Sequence, residues 1–364
     1  MKRLTLLTIM CAVVALGFIA LDPEKETFGF ESGKVQHQSW LYQHNSLGTP
    51  KADTRLADQT FLTFPEWFLV HSPAEQAEYF KLHTSTTFPF GVHIAQFWES
   101  YGIVSQAIAE TFEYNAGYHF MINVIGVSTT IEYAIKAAYE NTLGAFIYVL
   151  ADQAYTEEDQ FNQKYMQDYV DFIRATPWYE FDYFSRISVL WSQTSFFGEH
   201  FIRKLERKYM LTTELVTKGI YAQLIKLGTQ SIYDFALLTT VVVVGGVPKN
   251  LDIEGAEVLE TTAEGYLLVR APRYEAFMQF AWDIEQKGGQ FVEIAGNQSA
   301  LLLSVIVPVQ KQLKSNKIEV LFEQHIPTDV AYKRVVLMIQ VENLTEILSI
   351  IKRQRFQLEH IYDY

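Results

Sequence analysis

"YNAGYHFMINVIGVSTTIEYAIKAAYENTLGAF" runs from Tyr114 to Phe146, and its reading decides the fold. It is apolar enough to suggest a membrane span, yet it carries His119, Asn115, Asn123, Glu132, Lys136 and Glu140. At 100° per residue, Asn115, His119, Asn123, Gly126, Thr130, Tyr133, Ala137 and Glu140 fall in one sector of about 100°. Met121, Ile122, Val124, Ile125, Ile131 and Ile135 mostly lie elsewhere. Ionised groups at a bilayer centre cost several kcal/mol each, so the stretch reads as a partly buried helix of a globular domain.

The polar stripe then needs partners, because an unpaired buried donor or acceptor costs about 1–3 kcal/mol. Neighbouring helices can supply them through Tyr hydroxyls and Gln side chains, and Asn115 can cap the helix. Alternatively the stripe lines a cleft. The candidate ligand-binding residues are then Asn115, His119, Asn123, Thr130, Tyr133 and Glu140, with His119 as the candidate catalytic acid or base. His119 and Glu140 sit about 31 Å apart on one helix, so a catalytic pair needs a residue from another element. Glu132, Lys136 and Glu140, four apart, suit an ion-pair ladder.

Outward from this stretch the helix-start signals are frequent. "TFPE" offers Thr63 as a cap with Glu66 three later. "SPAE" offers Ser72, then Pro73 and Glu75, and "TEED" offers Thr156 with acids in the first turn. Helices are expected near 64–71, 73–83, 91–112, 116–147, 157–175, 180–193 and 199–228. Along the last of these, Phe201, Leu205, Tyr209, Val216, Ile220, Leu224 and Leu227 share a face. "RKLERK", Arg203 to Lys208, reads as a solvated helix face, or as a patch for anionic lipid. "TPWYEFDYF" after Pro177 reads as an aromatic junction plugging the core, or as a ligand loop. From Phe61 to Phe235 there are 37 aromatic residues, against 16 in the rest of the chain. That contrast separates an aromatic helical domain, roughly 57–230, from the C-terminal third.

After Gly228 the pattern turns to β-branched runs bounded by Gly and Pro. "LLTTVVVVGG", "GYLLVRAP", "QFVEIAGN", "ALLLSVIVP", "KIEVLFEQHIP", "YKRVVLMIQV" and "QLEHIYDY" read as strands. "RYEAFMQFAWDIEQKGG" and "NLTEILSIIKRQRF" read as helices, the first closed by Gly288 and the second capped by Asn343 with Glu346 three later. "QFVEIAGN" and "ALLLSVIVP" are expected to pair around Gly296 and Asn297. The order suggests a ferredoxin-like α/β sandwich over 231–364, with helices on one face of an antiparallel sheet. No repeat of period 20–50 is seen.

At the other end, "MKR" precedes 18 uncharged residues, Leu4 to Leu21, followed by Asp22, Glu24 and Glu26. As a helix this segment reaches about 27 Å, near the hydrocarbon thickness. It is expected to be an uncleaved anchor, or else a signal peptide. Lys2 and Arg3 place residues 1–3 in the cytoplasm and the bulk outside it. Residues 22–56 read as a tether. The class is thus α+β, with a single-pass anchor in a bacterial inner membrane and the bulk of the chain in the periplasm or extracytoplasmic space.

The net charge of −13 argues against nucleic acid. Cys11 is the one cysteine, which excludes an intrachain disulfide and a Cys-based zinc site. No GxSxG, P-loop, HExxH or GxGxxG motif occurs. His93, His119 and His200 lack metal-ligand spacing, so neither metal nor cofactor is expected. The leading functional reading is a binding or assembly role toward an apolar ligand, a lipid or an envelope partner. One alternative is an enzyme with a site around His119, acting on a membrane-derived substrate. The other is an oligomerisation or docking scaffold with an open sheet edge.

Overall fold

A computed structural model describes residues 35–42, 46–229 and 238–364. The expected anchor over 4–21 lies outside these residues, as do residues 22–34, 43–45 and 230–237. Among the described residues, no helix is long and apolar enough to cross a membrane. The chain is mixed helix and antiparallel sheet and divides into two compact units. One holds Phe68–Glu99 and His119–Thr229. The other holds the described residues of Phe30–Trp67, Ser100–Tyr118 and Gln230–Tyr364.

The helical elements are α1 (Gln59–Glu66), α2 (Phe68–Tyr79), α3 (Phe90–Ile108), α4 (Ala116–Tyr139), a π-turn (Glu140–Gly144), α5 (Ala145–Leu150), α6 (Glu157–Ile173), α7 (Tyr183–Gln193) and α8 (Phe201–Thr229). The Thr156 signal is realised as a capping box: the Thr156 N–H and hydroxyl both reach the Asp159 carboxylate, at 2.9 and 3.1 Å. The other two expected caps are not caps. Thr63 lies inside α1 and donates its hydroxyl to the Gln59 carbonyl at 2.7 Å. Ser72 lies inside α2, where its hydroxyl meets side chains of other helices. Both are small hydroxyls that packing recruited inward, which outweighs a local cap preference.

In the second unit the sheet residues form two four-stranded sheets, not the single ferredoxin-like sheet expected. β1 (Thr239–Gly245), β2 (Glu257–Thr261), β3 (Leu267–Pro272), α9 (Glu275–Gln286) and β4 (Gln290–Ile294) make one sheet in the order β2-β3-β1-β4. β5 (Ala300–Pro308), β6 (Glu319–His325), β7 (Tyr332–Gln340), α10 (Leu344–Gln354) and β8 (Gln357–Tyr362) make the other, in the order β6-β7-β5-β8. β4 and β5, expected to pair with each other, pair instead with β1 and with β7 and β8; only an Ile294–Asn297 bridge remains at the turn.

The two halves repeat one topology down to its irregularities. A bulge interrupts β1–β4 between Val243 and Val244, and β5–β8 between Ser304 and Val305. Another interrupts β2–β3 between Val258 and Glu260, and β6–β7 between Val320 and Phe322. α9 is followed by Gly288 and α10 by Arg355, both left-handed at φ 73° and 56°. One apolar core serves both halves, joining Val242, Val244 and Val269 to Leu303, Val305 and Leu337 through Phe280, Ile284, Ile347 and Ile351.

Bulge positions place polar side chains under cover. Glu293, opposite Val243, is buried and receives Ser46 Oγ at 2.9 Å and the Leu47 N–H at 2.6 Å. Its counterpart His360, opposite Ser304, is buried and stacks on Trp67 at 3.5 Å. Asn343 precedes α10 as expected but makes no side-chain cap bond.

Thr60 stitches α1 to the second sheet, donating to the Tyr362 carbonyl at 2.6 Å and accepting the Leu302 N–H at 3.0 Å. Thr60→Val leaves both backbone groups unpaired at a fully buried position. It is expected to destabilise this unit by about 1–3 kcal/mol in denaturant unfolding, with Thr60→Ser close to wild type.

Candidate functional site

α4 carries the polar stripe, and each of its side chains has a definite place. Asn115 caps the helix, its Oδ1 accepting the Tyr118 N–H at 3.2 Å and its Nδ2 donating to Asp58 at 3.2 Å. His119 is buried, and its carbonyl accepts Asn123 Nδ2 at 2.7 Å. Thr130 accepts the Trp98 indole N–H at 2.9 Å. Tyr133 meets Ser72 Oγ at 2.7 Å and accepts Gln76 Nε2 at 2.6 Å. Glu140 opens the π-turn and is buried against α8.

Gly126 lets α4 approach α3 closely; a Cβ there would lie 2.3 Å from Phe97 Cε1. Gly144 does the same for Glu140, since a Cβ would lie 2.6 Å from Glu140 Oε2.

α8 departs furthest from expectation. "RKLERK" is not a solvated face: Arg203 is 0% exposed, Arg207 2% and Lys208 1%, while Ile202 and Tyr209 are 62% and 63% exposed. The charges turn inward and are paired. Arg207 grips Glu140 with two bonds of 2.8 and 2.9 Å, and Ser85 and Thr86 donate to the same carboxylate at 2.8 and 2.9 Å. Glu206 bridges Arg207 Nε at 2.8 Å and Arg203 Nη1 at 2.9 Å. Lys208 donates to the Thr194 carbonyl at 3.0 Å and faces Glu158 at 3.4 Å.

A second network is a closed square of alternating charge. Lys136 lies 3.0 Å from Glu132 and 2.9 Å from Glu214, and Lys218 lies 3.1 and 3.2 Å from the same two carboxylates. Of the expected ladder, therefore, only Glu132–Lys136 forms; Glu140 is taken by Arg207.

These surroundings set the protonation states. Burial alone would raise Glu132, but Lys218 and Lys136 outweigh it and hold the carboxyl down to about 2. Burial is likewise outweighed at Glu140 by Arg207 and at Glu214 by Lys136 and Lys218, so both lie below the usual carboxylate range. At Asp159 burial prevails over Arg203 and raises the carboxyl.

Glu75, His93 and Ser72 form an acid–imidazole–hydroxyl series, with His93 Nδ1 2.9 Å from Ser72 Oγ and Nε2 3.5 Å from Glu75. Ser72 is 1% exposed and its oxygen is shared with Tyr133. The nearby cavities suit water. One, of about 40 Å³, is bounded by Gln76, Glu132, Tyr133 and Lys218; the other, of about 10 Å³, by Lys136, Glu140, Arg207 and Glu214. Pockets for small-molecule ligands run to about 300–1,000 Å³.

A separate cluster lies in the other unit. Tyr118 donates to Glu66 at 2.6 Å, and burial raises the Glu66 carboxyl against the pull of that bond. Arg55 and Arg273 both donate to the Tyr364 carbonyl, at 2.8 and 2.7 Å, and Arg273 also reaches Asp363 at 3.3 Å.

The exterior of the helical unit reverses the interior. From Phe120 to Leu150 no exposed position carries a charge, and the same holds for α7 and for α8 from Phe201 to Lys226. Ile135, Phe146, Val149, Leu205, Ile220 and Leu224 are all exposed. By contrast, α6 shows Glu157, Lys164 and Asp171 outward. Of the expected shared face, Phe201, Leu205, Tyr209, Ile220 and Leu224 are exposed and Val216 is half-buried, while the side chain of Leu227 lies outside those described. Comparison of the chain with protein-family models, with curated proteins and with solved structures finds no match.

Arg207→Met strands Glu140 in the interior and is expected to cost about 3–5 kcal/mol in chemical unfolding, much of it recovered by adding Glu140→Gln. Acid should act in the same direction. Glu132, Glu140 and Glu214 have folded values below their unfolded ones, so their stabilisation is full above about pH 4.3 and lost as pH falls through the folded values. Asp159, with its raised value, acts oppositely: its contribution is present at low pH and lost as pH rises. Glu157 joins the lowered set and Glu99 the raised one, and four groups against two predict a helical unit that loses stability on acidification below about pH 4, read by circular dichroism against denaturant.

Proposed function

We propose that this chain is a non-catalytic binding or assembly protein of a cell envelope, tethered by the Leu4–Leu21 segment. Its helical unit docks an apolar partner through the uncharged exterior of α4–α5, α7 and α8. The observation carrying this reading is the inversion of α8, with Arg203, Arg207 and Lys208 inside and Ile202, Leu205 and Tyr209 outside. A helix in water gains by the opposite orientation, since each buried apolar side chain contributes about 1.5–3 kcal/mol. Contiguous exposed apolar surface of this kind marks an interaction site.

The test is occupancy of that exterior in isolated membranes, whatever the occupant. In a Cys11→Ser background, Leu205→Cys, Ile220→Cys and Val149→Cys should react with a water-soluble maleimide many-fold more slowly than Lys164→Cys on α6. Equal rates would show a bare surface and end the docking reading.

A further inference from the structure

The same exterior carries a more specific assignment, which rests on the docking reading above. We infer that the partner is the hydrocarbon of a lipid bilayer, in lateral contact with α4–α5 and α8. Some of the polar groups on this side are satisfied without any partner and so tolerate hydrocarbon, whereas the exposed Asn141 and Gln223 amides have no such bond. Thr142 donates to the Ala138 carbonyl at 2.6 Å, Thr213 to Tyr209 at 2.8 Å and Thr217 to Thr213 at 2.8 Å. The exposed amide of Asn123 turns back to the His119 carbonyl, and the Trp191 indole N–H is bonded to Thr212 at 3.0 Å. Helical threonines bond the preceding turn in water as well, so these bonds leave the exterior compatible with acyl chains, which accept no hydrogen bond, and the choice of partner rests on extent and charge.

Extent and charge point the same way. The charge-free exterior of α8, Phe201 to Leu224, is about 35 Å long, comparable with a hydrocarbon layer of about 30 Å. Protein interfaces have a polar rim and favour arginine, whereas here every arginine and lysine of α8 through Lys226 is buried or half-buried. Ionisable groups in lipid-facing bundles point inward and pair with one another, as the Glu140–Arg207–Glu206–Arg203 chain and the Glu132–Lys136–Glu214–Lys218 square do. The contact is one of helix sides; it requires no single helix with the apolar length of a span.

The experiment uses the full chain, Cys11→Ser, reconstituted in phosphatidylcholine vesicles with and without bromine on the acyl chains. Bimane is attached at Leu205→Cys, Ile220→Cys or Val149→Cys, with Lys164→Cys as control. Circular dichroism of each labelled protein confirms that the fold is kept. Brominated chains are expected to quench the three exterior probes several-fold and to leave the Lys164 probe unchanged. Exterior sites that are protected from maleimide in native membranes yet unquenched in vesicles would show a protein occupant, overturning the lipid assignment while leaving the docking reading in place. Sites both reactive and unquenched would overturn the two together.

Discussion

The helical unit depends on the pairing of Glu140 with Arg207. Two parallel hydrogen bonds, with Ser85 and Thr86 completing the carboxylate, keep a full charge pair inside the bundle. A buried guanidinium is tolerated only when its charge is met. That requirement fixes the rotation of α8, because the carboxylates that meet the charges of Arg203 and Arg207 stand on the inward side, although Arg203 Nε itself makes no hydrogen bond. Once this side is set, Ile202, Leu205 and Tyr209 have nowhere to go but out. The π-turn belongs to the same constraint: Glu140–Gly144 inserts at the point where the carboxylate must face α8, and Gly144 has no Cβ to block it.

The second unit is governed by a different rule. Two copies of one strand–strand–strand–helix–strand arrangement share a single core, so neither sheet needs a covering layer of its own on the inner side. The matched bulges show that the repeat includes its defects as well as its regular part. At the equivalent bulge positions the chain uses different chemistry. Glu293 is met by backbone and hydroxyl donors, whereas His360 is met by the face of Trp67. Equal backbone with unequal side chains is why no short period is visible in the sequence; the clearest trace is "EVL" at Glu257 and again at Glu319.

Much of the local structure was legible from the residues. Helix positions followed from periodicity and strand positions from β-branched runs, and the Thr156 box and the Asn115 cap followed from short-range hydrogen bonding. These are effects of neighbours in the chain, which a sequence displays directly. Thr63 and Ser72 show the limit, since the same local signal was overridden by packing against distant residues, Tyr118 for Thr63 and His93 for Ser72. The stripe residues were identifiable as one face of α4. Their partners were not: Ser72, Gln76, Trp98 and Arg207 come from other elements.

The sequence by itself determined that α8 has one apolar and one charged side, because 3.6 residues per turn sorts its side chains without further information. It also determined the helical and β-rich halves of the chain and which residues share the polar stripe of α4. Only the tertiary structure decided which side of α8 faces in. Amphipathicity is symmetric under that choice, and the answer depends on whether the interior offers carboxylates to arginines or hydrocarbon to leucines. Here Glu140, Asp159 and Glu206 stand inside, so the charges went in and the apolar side was left out.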